Sequence, residues 1–240
     1  MQLNTKIIGH RGAAAYAPEN TFASFEKALQ LGCRFIEFDL MLSADGQAFL
    51  FHDEDLKRTT NGRGGFGLAQ SAYLKGLDAG SWFSKAYKGE KIPLFSDVLN
   101  WLLAKEVEAN IEIKPYPGTV SQTTLALLAE LKRYWPEDKA FPLVSSFEYE
   151  ALRLFRSLAI DAPLGFLMHD WDKDWYVKAS AINCYSIHCY RKILTASRID
   201  EIKSKGFKLL AYTVNSKWQA KRLFRLGVDA VFSDYPDLIL

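Results

Sequence analysis

The sequence predicts an α/β protein built as a (β/α)8, or TIM, barrel, with one extra antiparallel hairpin strand and a small insertion after that strand. Three observations carry this expectation. Short apolar segments, several rich in β-branched residues, alternate with longer amphipathic ones, as in a parallel sheet covered by helices. Of nine candidate strands, one is joined to its predecessor only by Ser-Ala-Asp-Gly-Gln (43–47), too short for a crossover, which leaves eight for parallel pairing. The ends of the early strands carry charged and titratable residues, where such a barrel gathers its chemistry.

The elements follow in order. KIIGH (6–10) opens the sheet and 21–31 is its helix. RFIEFDL (34–40) reads as a buried strand, and AFLFH (48–52) returns antiparallel to it, because Asp45-Gly46 is a strong hairpin signal. Counting outward from that turn brings His52 back toward Phe38 and Asp39. The remaining strands are 109–114, 142–147, 163–168, 184–189, 208–214 and 230–234. The helices between them are 95–106, 120–134, 148–158, 172–180, 196–205 and 216–226, with apolar spacing such as Leu125, Leu128 and Leu131. Alternation alone also fits a doubly wound sheet; the count of eight favours the barrel.

One domain spans 1–240, with 53–93 as an insertion at the barrel mouth. That segment runs from the glycine-rich NGRGGFG to the aromatic SWFSKAY. A loop of this length in a compact domain is usually functional. It lacks the GxxxxGK[ST] pattern of a phosphate cradle. Trp82 and Phe83 are expected to wall off a bulky group, and Asp53, Glu54 and Asp55 to be solvated loop.

Glu37 and Asp39 lie two apart on a strand and so face the same way. Glu112 and Lys114 repeat the pattern on a later strand. With His10 and Arg11 after the first strand and His52 after the hairpin, three carboxylates, two histidines, an arginine and a lysine converge. Three carboxylates so close repel one another and lose hydration unless a cation joins them. Oxygen donors suit Mg²⁺ or Ca²⁺, so Glu37, Asp39 and Glu112 are predicted to hold one divalent cation. Arg11 and Lys114 then suit an anionic phosphate. His10 and His52 suit acid–base cleavage of a phosphodiester. Taken singly, each acid also fits a structural ion pair with Arg11 or Lys114; their convergence at strand ends favours a site. His169 and His188 read mainly as structural, with His188 close enough to a strand end to touch substrate.

The bulk properties narrow the class. Thirty Lys and Arg against 28 Asp and Glu give a net charge of +2, without the basic stripe of a nucleic-acid binder. No apolar run reaches bilayer length, and the N-terminus shows no signal-peptide pattern. Cys33, Cys184 and Cys189 are an odd set without a CxxC pair, against a disulfide framework or zinc site. A reduced, cytoplasmic setting without a membrane anchor is expected.

The motifs HRG (10–12), PENT (18–21), IEFD (36–39), LFHD (50–53), RTTNG (58–62), DAGSWFS (78–84), IEIKP (111–115), SSFE (145–148), SIH (186–188), YTVN (212–215) and FSDYPD (232–237) occur in order over nearly the whole chain. On them the sequence resembles the glycerophosphodiester phosphodiesterases, particularly the small cytoplasmic bacterial type. The resemblance implies a TIM barrel and hydrolysis of a small-molecule glycerophosphodiester to sn-glycerol 3-phosphate and an alcohol. It implies His10 and His52 as the acid–base pair, Glu37, Asp39 and Glu112 as metal ligands, and Arg11 and Lys114 as phosphate contacts. Phe147 and Tyr212 are implied as walls for the glycerol, although many relatives carry tryptophan where Tyr212 stands. Glu19 and Asn20 are expected to brace the mouth, Asn20 as a helix N-cap. Two rivals remain: a lysophospholipase D-like phosphodiesterase, which would want an apolar patch at the mouth such as Trp82, Phe83 and Tyr87, and a non-catalytic phosphate-binding barrel.

Overall fold

A computed structural model describes residues 3–239. Eight parallel strands close into a ring: β1 (Ile7–His10), β2 (Phe35–Leu42), β4 (Glu108–Ile113), β5 (Leu143–Ser146), β6 (Leu164–Met168), β7 (Ser186–Tyr190), β8 (Lys208–Tyr212) and β9 (Ala230–Ser233). Pairing of β1 with both β9 and β2 closes it. The helices α1 (Phe22–Gln30), α3 (Phe95–Lys105), α4 (Val120–Tyr134), α5 (Tyr149–Leu158), α6 (Trp175–Ala181), α7 (Ala196–Ser204) and α8 (Lys217–Arg225) alternate with them. This is the predicted TIM barrel. The ninth strand, β3 (Ala48–Leu50), pairs antiparallel with β2, Leu40 opposite Leu50, as the Asp-Gly turn requires. Gly46 takes the left-handed conformation (φ +79°) that the turn needs.

Strand periodicity sorts β2 into two faces. Ile36, Phe38 and Leu40 belong to the large core between sheet and helices. Phe35 instead packs inside the barrel with Ile8, Leu143, Leu210, Ala230 and Phe232, which form its floor. Glu37 and Asp39 share Phe35's parity and stand above that floor. All eight residues of β2 are nevertheless buried, so the two acids are desolvated from both sides.

The segment between β3 and α3 contains one short α-helix, α2 (Ser71–Gly76), and two 3-10 turns, and its Phe51, Leu56, Phe66, Leu74, Leu77, Ala79 and Ile92 form a small core with Met41 of β2 and Phe49 of β3. Phe51 stacks on Phe66 with ring centroids 4.6 Å apart, so the residue just before His52 is anchored by the excursion.

Two expectations change. The N-cap of α1 is Thr21, not Asn20: the Thr21 hydroxyl accepts from Ser24 N, and Ser24 Oγ accepts from Thr21 N. Asn20, at φ +56°, turns inward instead. Helix α6 begins at Trp175 rather than 172, because Asp172 closes a turn by accepting from Asp174 N at 2.8 Å. Among the described residues no helix is long and apolar enough to cross a membrane.

Candidate active site

The first strand ends in a turn that sets the site. Gly12 N donates to Gly9 O at 3.2 Å, and Arg11 and Gly12 both have positive φ (51° and 87°). A Cβ on Gly12 would lie 2.5 Å from Ser24 Oγ, so only glycine fits. The turn aims the Arg11 amide at Glu37 Oε2 (3.0 Å), its Nη1 at Glu19 Oε1 (2.6 Å) and its Nε toward Asp39 Oδ2 (3.3 Å).

Register brings the acids together. His10 pairs with Glu37 across β1 and β2, and Asp39 with Glu112 across β2 and β4. Glu37, Asp39 and Glu112 each offer an oxygen, all within 4.8 Å of one another. Burial, and next the neighbouring Asp39, push Glu112 up to about 7. Burial also raises Glu37 well above the carboxylate range, with Asp39 and Glu112 adding to it. Burial would raise Asp39 too, but Arg11, Lys114, His52 and Asn20 outweigh it and hold Asp39 low. Asn20 grips Asp39 twice: its Nδ2 donates to Oδ2 (2.9 Å) and its Oδ1 accepts from the Asp39 amide (3.3 Å). Lys114 Nζ lies 3.4 Å from Glu112 and 3.7 Å from Asp39. Two raised acids in one buried trio are groups that a hard divalent cation would neutralise, so the donor set fits Mg²⁺ or Ca²⁺.

Each histidine is oriented by a carboxylate. His10 Nδ1 meets Asp234 Oδ1 at 2.6 Å, and His52 Nδ1 meets Asp53 Oδ1 at 2.6 Å. Such a partner fixes the ring and leaves Nε2 for chemistry. Burial lowers the His52 pKa, Asp39 opposes this, and Arg11 and Lys114 lower it further.

A cleft of about 510 Å³ joins these groups. His10, Arg11, His52, Glu37, Glu112 and Lys114 line it. Phe147 and Tyr212 line it as well, edge to face with centroids 5.9 Å apart. Tyr212 is pinned by its hydroxyl, which donates to Met168 O at 2.9 Å. His169, stacked on Tyr190, also lines the cleft, as does the fully buried His188, whose Nε2 bonds Ser186 Oγ at 2.8 Å.

Residues 10–238 match the model of the glycerophosphoryl diester phosphodiesterase family. The chain belongs to this family. It is 32% identical to a glycerophosphodiester phosphodiesterase of Caldanaerobacter subterraneus, over 99% of this chain and 97% of that one. A Bacillus subtilis glycerophosphodiester phosphodiesterase is 34% identical over 96% of this chain and 84% of its own. Among solved structures, an Oleispira antarctica phosphodiesterase in complex with the product sn-glycerol-3-phosphate aligns with a TM-score of 0.94 at 37% identity, over 98% of this chain and 95% of that one.

The geometry shows what sequence reasoning overlooked. Asp53 is no solvated loop residue: it holds His52, while Glu54 and Asp55 are exposed. Asp234, the partner of His10, sits at the end of the last strand, where the rule that polar strand ends form the site would have found it. Arg58 opens the RTTNG motif but was given no role, because its partners lie apart from it in sequence; it joins Asp53 to Glu19. Trp82 and Phe83 do not line the cleft. Trp82 packs on Phe83 and Phe83 on Tyr87, whose hydroxyl donates to Tyr16 O at 3.0 Å, so the cluster fastens the excursion to the barrel.

Proposed function

We propose that the protein hydrolyses glycerophosphodiesters to sn-glycerol 3-phosphate and an alcohol, with His10 and His52 exchanging protons and a divalent cation held by Glu37, Asp39 and Glu112. The observation that carries this is three buried carboxylates within 4.8 Å of one another, beside two histidines that each have a carboxylate on Nδ1. The product bound by the Oleispira relative supports the choice of substrate.

When bound, the cation supplies Lewis-acid polarisation of a phosphoryl oxygen and neutralises the carboxylates. The protein's own groups do the rest. Arg11 and Lys114 stabilise the charge added at phosphorus. His10 takes the proton of the glycerol 2-hydroxyl as its oxygen bonds phosphorus. The bond from phosphorus to the alcohol breaks, and His52 protonates the departing alkoxide. Water then opens the cyclic phosphate with the roles reversed. Phe147 and Tyr212 cover the carbon face of the glycerol. A cytoplasmic setting fits three buried, unpaired cysteines.

Phosphorus NMR of glycerophosphocholine incubated with the protein and Mg²⁺ tests the reading. It predicts that the diester signal is replaced by sn-glycerol 3-phosphate. Appearance of phosphocholine, or no conversion, would contradict it.

A further inference from the structure

Arg58 lies in the excursion and makes two ion pairs at once. Its Nε and Nη2 bond the two oxygens of Asp53, the Nη2 contact at 2.9 Å. Its Nη1 and Nη2 bond the two oxygens of Glu19, both at 2.7 Å. Glu19 in turn accepts from Arg11 Nη1 at 2.6 Å, and Asp53 meets His52 at 2.6 Å. One guanidinium therefore connects the carboxylate that holds a histidine to the carboxylate that holds the phosphate-facing arginine. Only Arg can do this: two adjacent donor edges of one planar fork, sharing Nη2, serve two carboxylates, while a lysine offers a single point charge.

The magnitudes say what this arrangement is for. The Arg58 side chain is 45% exposed while Glu19 and Asp53 are 12% and 24% exposed, so this bidentate network contributes some stability. Displacement of a reacting group by a fraction of an ångström, in contrast, costs far more in rate than in fold. Without Arg58, Asp53 keeps only His52, and both can swing away from the cleft.

We propose that Arg58 is a positioning residue for His52, acting through Asp53, by which the excursion sets the catalytic geometry. This rests on the proposed function above. Outer residues that orient a working group typically carry about 10–100-fold in activity. Arg58→Ala should therefore lower kcat by about that factor with a smaller change in KM. Guanidinium ion at tens of millimolar should restore part of the loss, and Arg58→Lys should not. Because Arg58 acts through His52, adding Arg58→Ala to His52→Ala should cost little more than His52→Ala alone.

Both variants, singly and together, are to be assayed on glycerophosphocholine and on its p-nitrophenyl analogue, whose leaving group needs no protonation. The proposal predicts that the Arg58→Ala defect changes between the two substrates in the same direction as the His52→Ala defect. A defect of His52→Ala that Arg58→Ala does not share, or independent additive losses, would overturn the role of Arg58 alone. Full turnover by His52→Ala would overturn the reading of the site itself. If Arg58→Ala fails to fold, Arg58→Gln and the response of Arg58→Lys to guanidinium carry the same comparison.

Discussion

Glu37 and Asp39 interrupt an otherwise apolar strand, and the cost of burying them is met only at the site they build. The account predicts that Glu37→Ala, Asp39→Ala and Glu112→Ala each lose at least about a hundredfold in turnover together with divalent-cation affinity, measured by titration calorimetry. Normal affinity in the Glu37 variant would mean that the ligand set is wrong. His188 yields a stability prediction of known sign. Burial lowers its pKa to about 3, so the unfolded chain binds a proton that the folded ring refuses. The contribution is complete above the unfolded value of about 6.5 and is lost as pH falls from there toward 3. His188→Gln should flatten the fall in Tm across that window; an unchanged slope would place the acid sensitivity elsewhere. Residue types at strand ends made the cluster of Glu37, Asp39 and Glu112 and the two nearby histidines legible in the sequence. The carboxylates that orient the histidines were less so, because their roles depend on a partner in space: Asp234 is 224 positions from His10.

At the scale of elements, segment pattern and turn chemistry located every strand, because short apolar runs between amphipathic helices and one Asp-Gly turn leave little freedom. Helix starts were less certain, since side-chain bonds decide them: Thr21 and Ser24 cap α1, while Asn20 is spent on Asp39. The same logic identifies a clamp remote from the site. Asp229 accepts from Leu209 N at 2.8 Å, from Lys203 and from Lys208 at 3.2 Å, joining β8, α7 and the turn before β9. Burial would raise its pKa, but the Leu209 amide and Lys203 hold it down. Its contribution is therefore present above about pH 4, the unfolded value, and is lost as pH falls through the lower folded value. Asp229→Asn should destabilise by about 1–2 kcal/mol at neutral pH in urea denaturation, and the difference should vanish in acid with no effect on kcat. The excursion makes a sharper case. Phe66 anchors Phe51 beside His52, so Phe66→Ala, which costs about 3–5 kcal/mol where a Phe is fully buried, should lower turnover on all substrates alike. Loss confined to bulky head groups would restore the expectation that the excursion selects substrate size.

At the scale of the whole molecule, eight strands bring acids from β2 and β4, a histidine from β1 and its partner from the end of β9 to one mouth, while Ile8, Phe35, Leu143 and Leu210 seal the floor beneath. No local segment contains the site; closure of the ring creates it. Burial and mutual repulsion raise Glu37 and Glu112, and under the proposed reading a cation would relieve both. A binding ion should therefore raise Tm as well as activity, by mass action on the folded state. The central claim is that these three carboxylates exist to hold that ion for phosphodiester hydrolysis. The most direct measurement is turnover of glycerophosphocholine by protein stripped with EDTA and then dialysed, before and after addition of Mg²⁺ or Ca²⁺. The account predicts no detectable product from the stripped protein and full recovery with one of the two ions; undiminished turnover in the metal-free protein would contradict it.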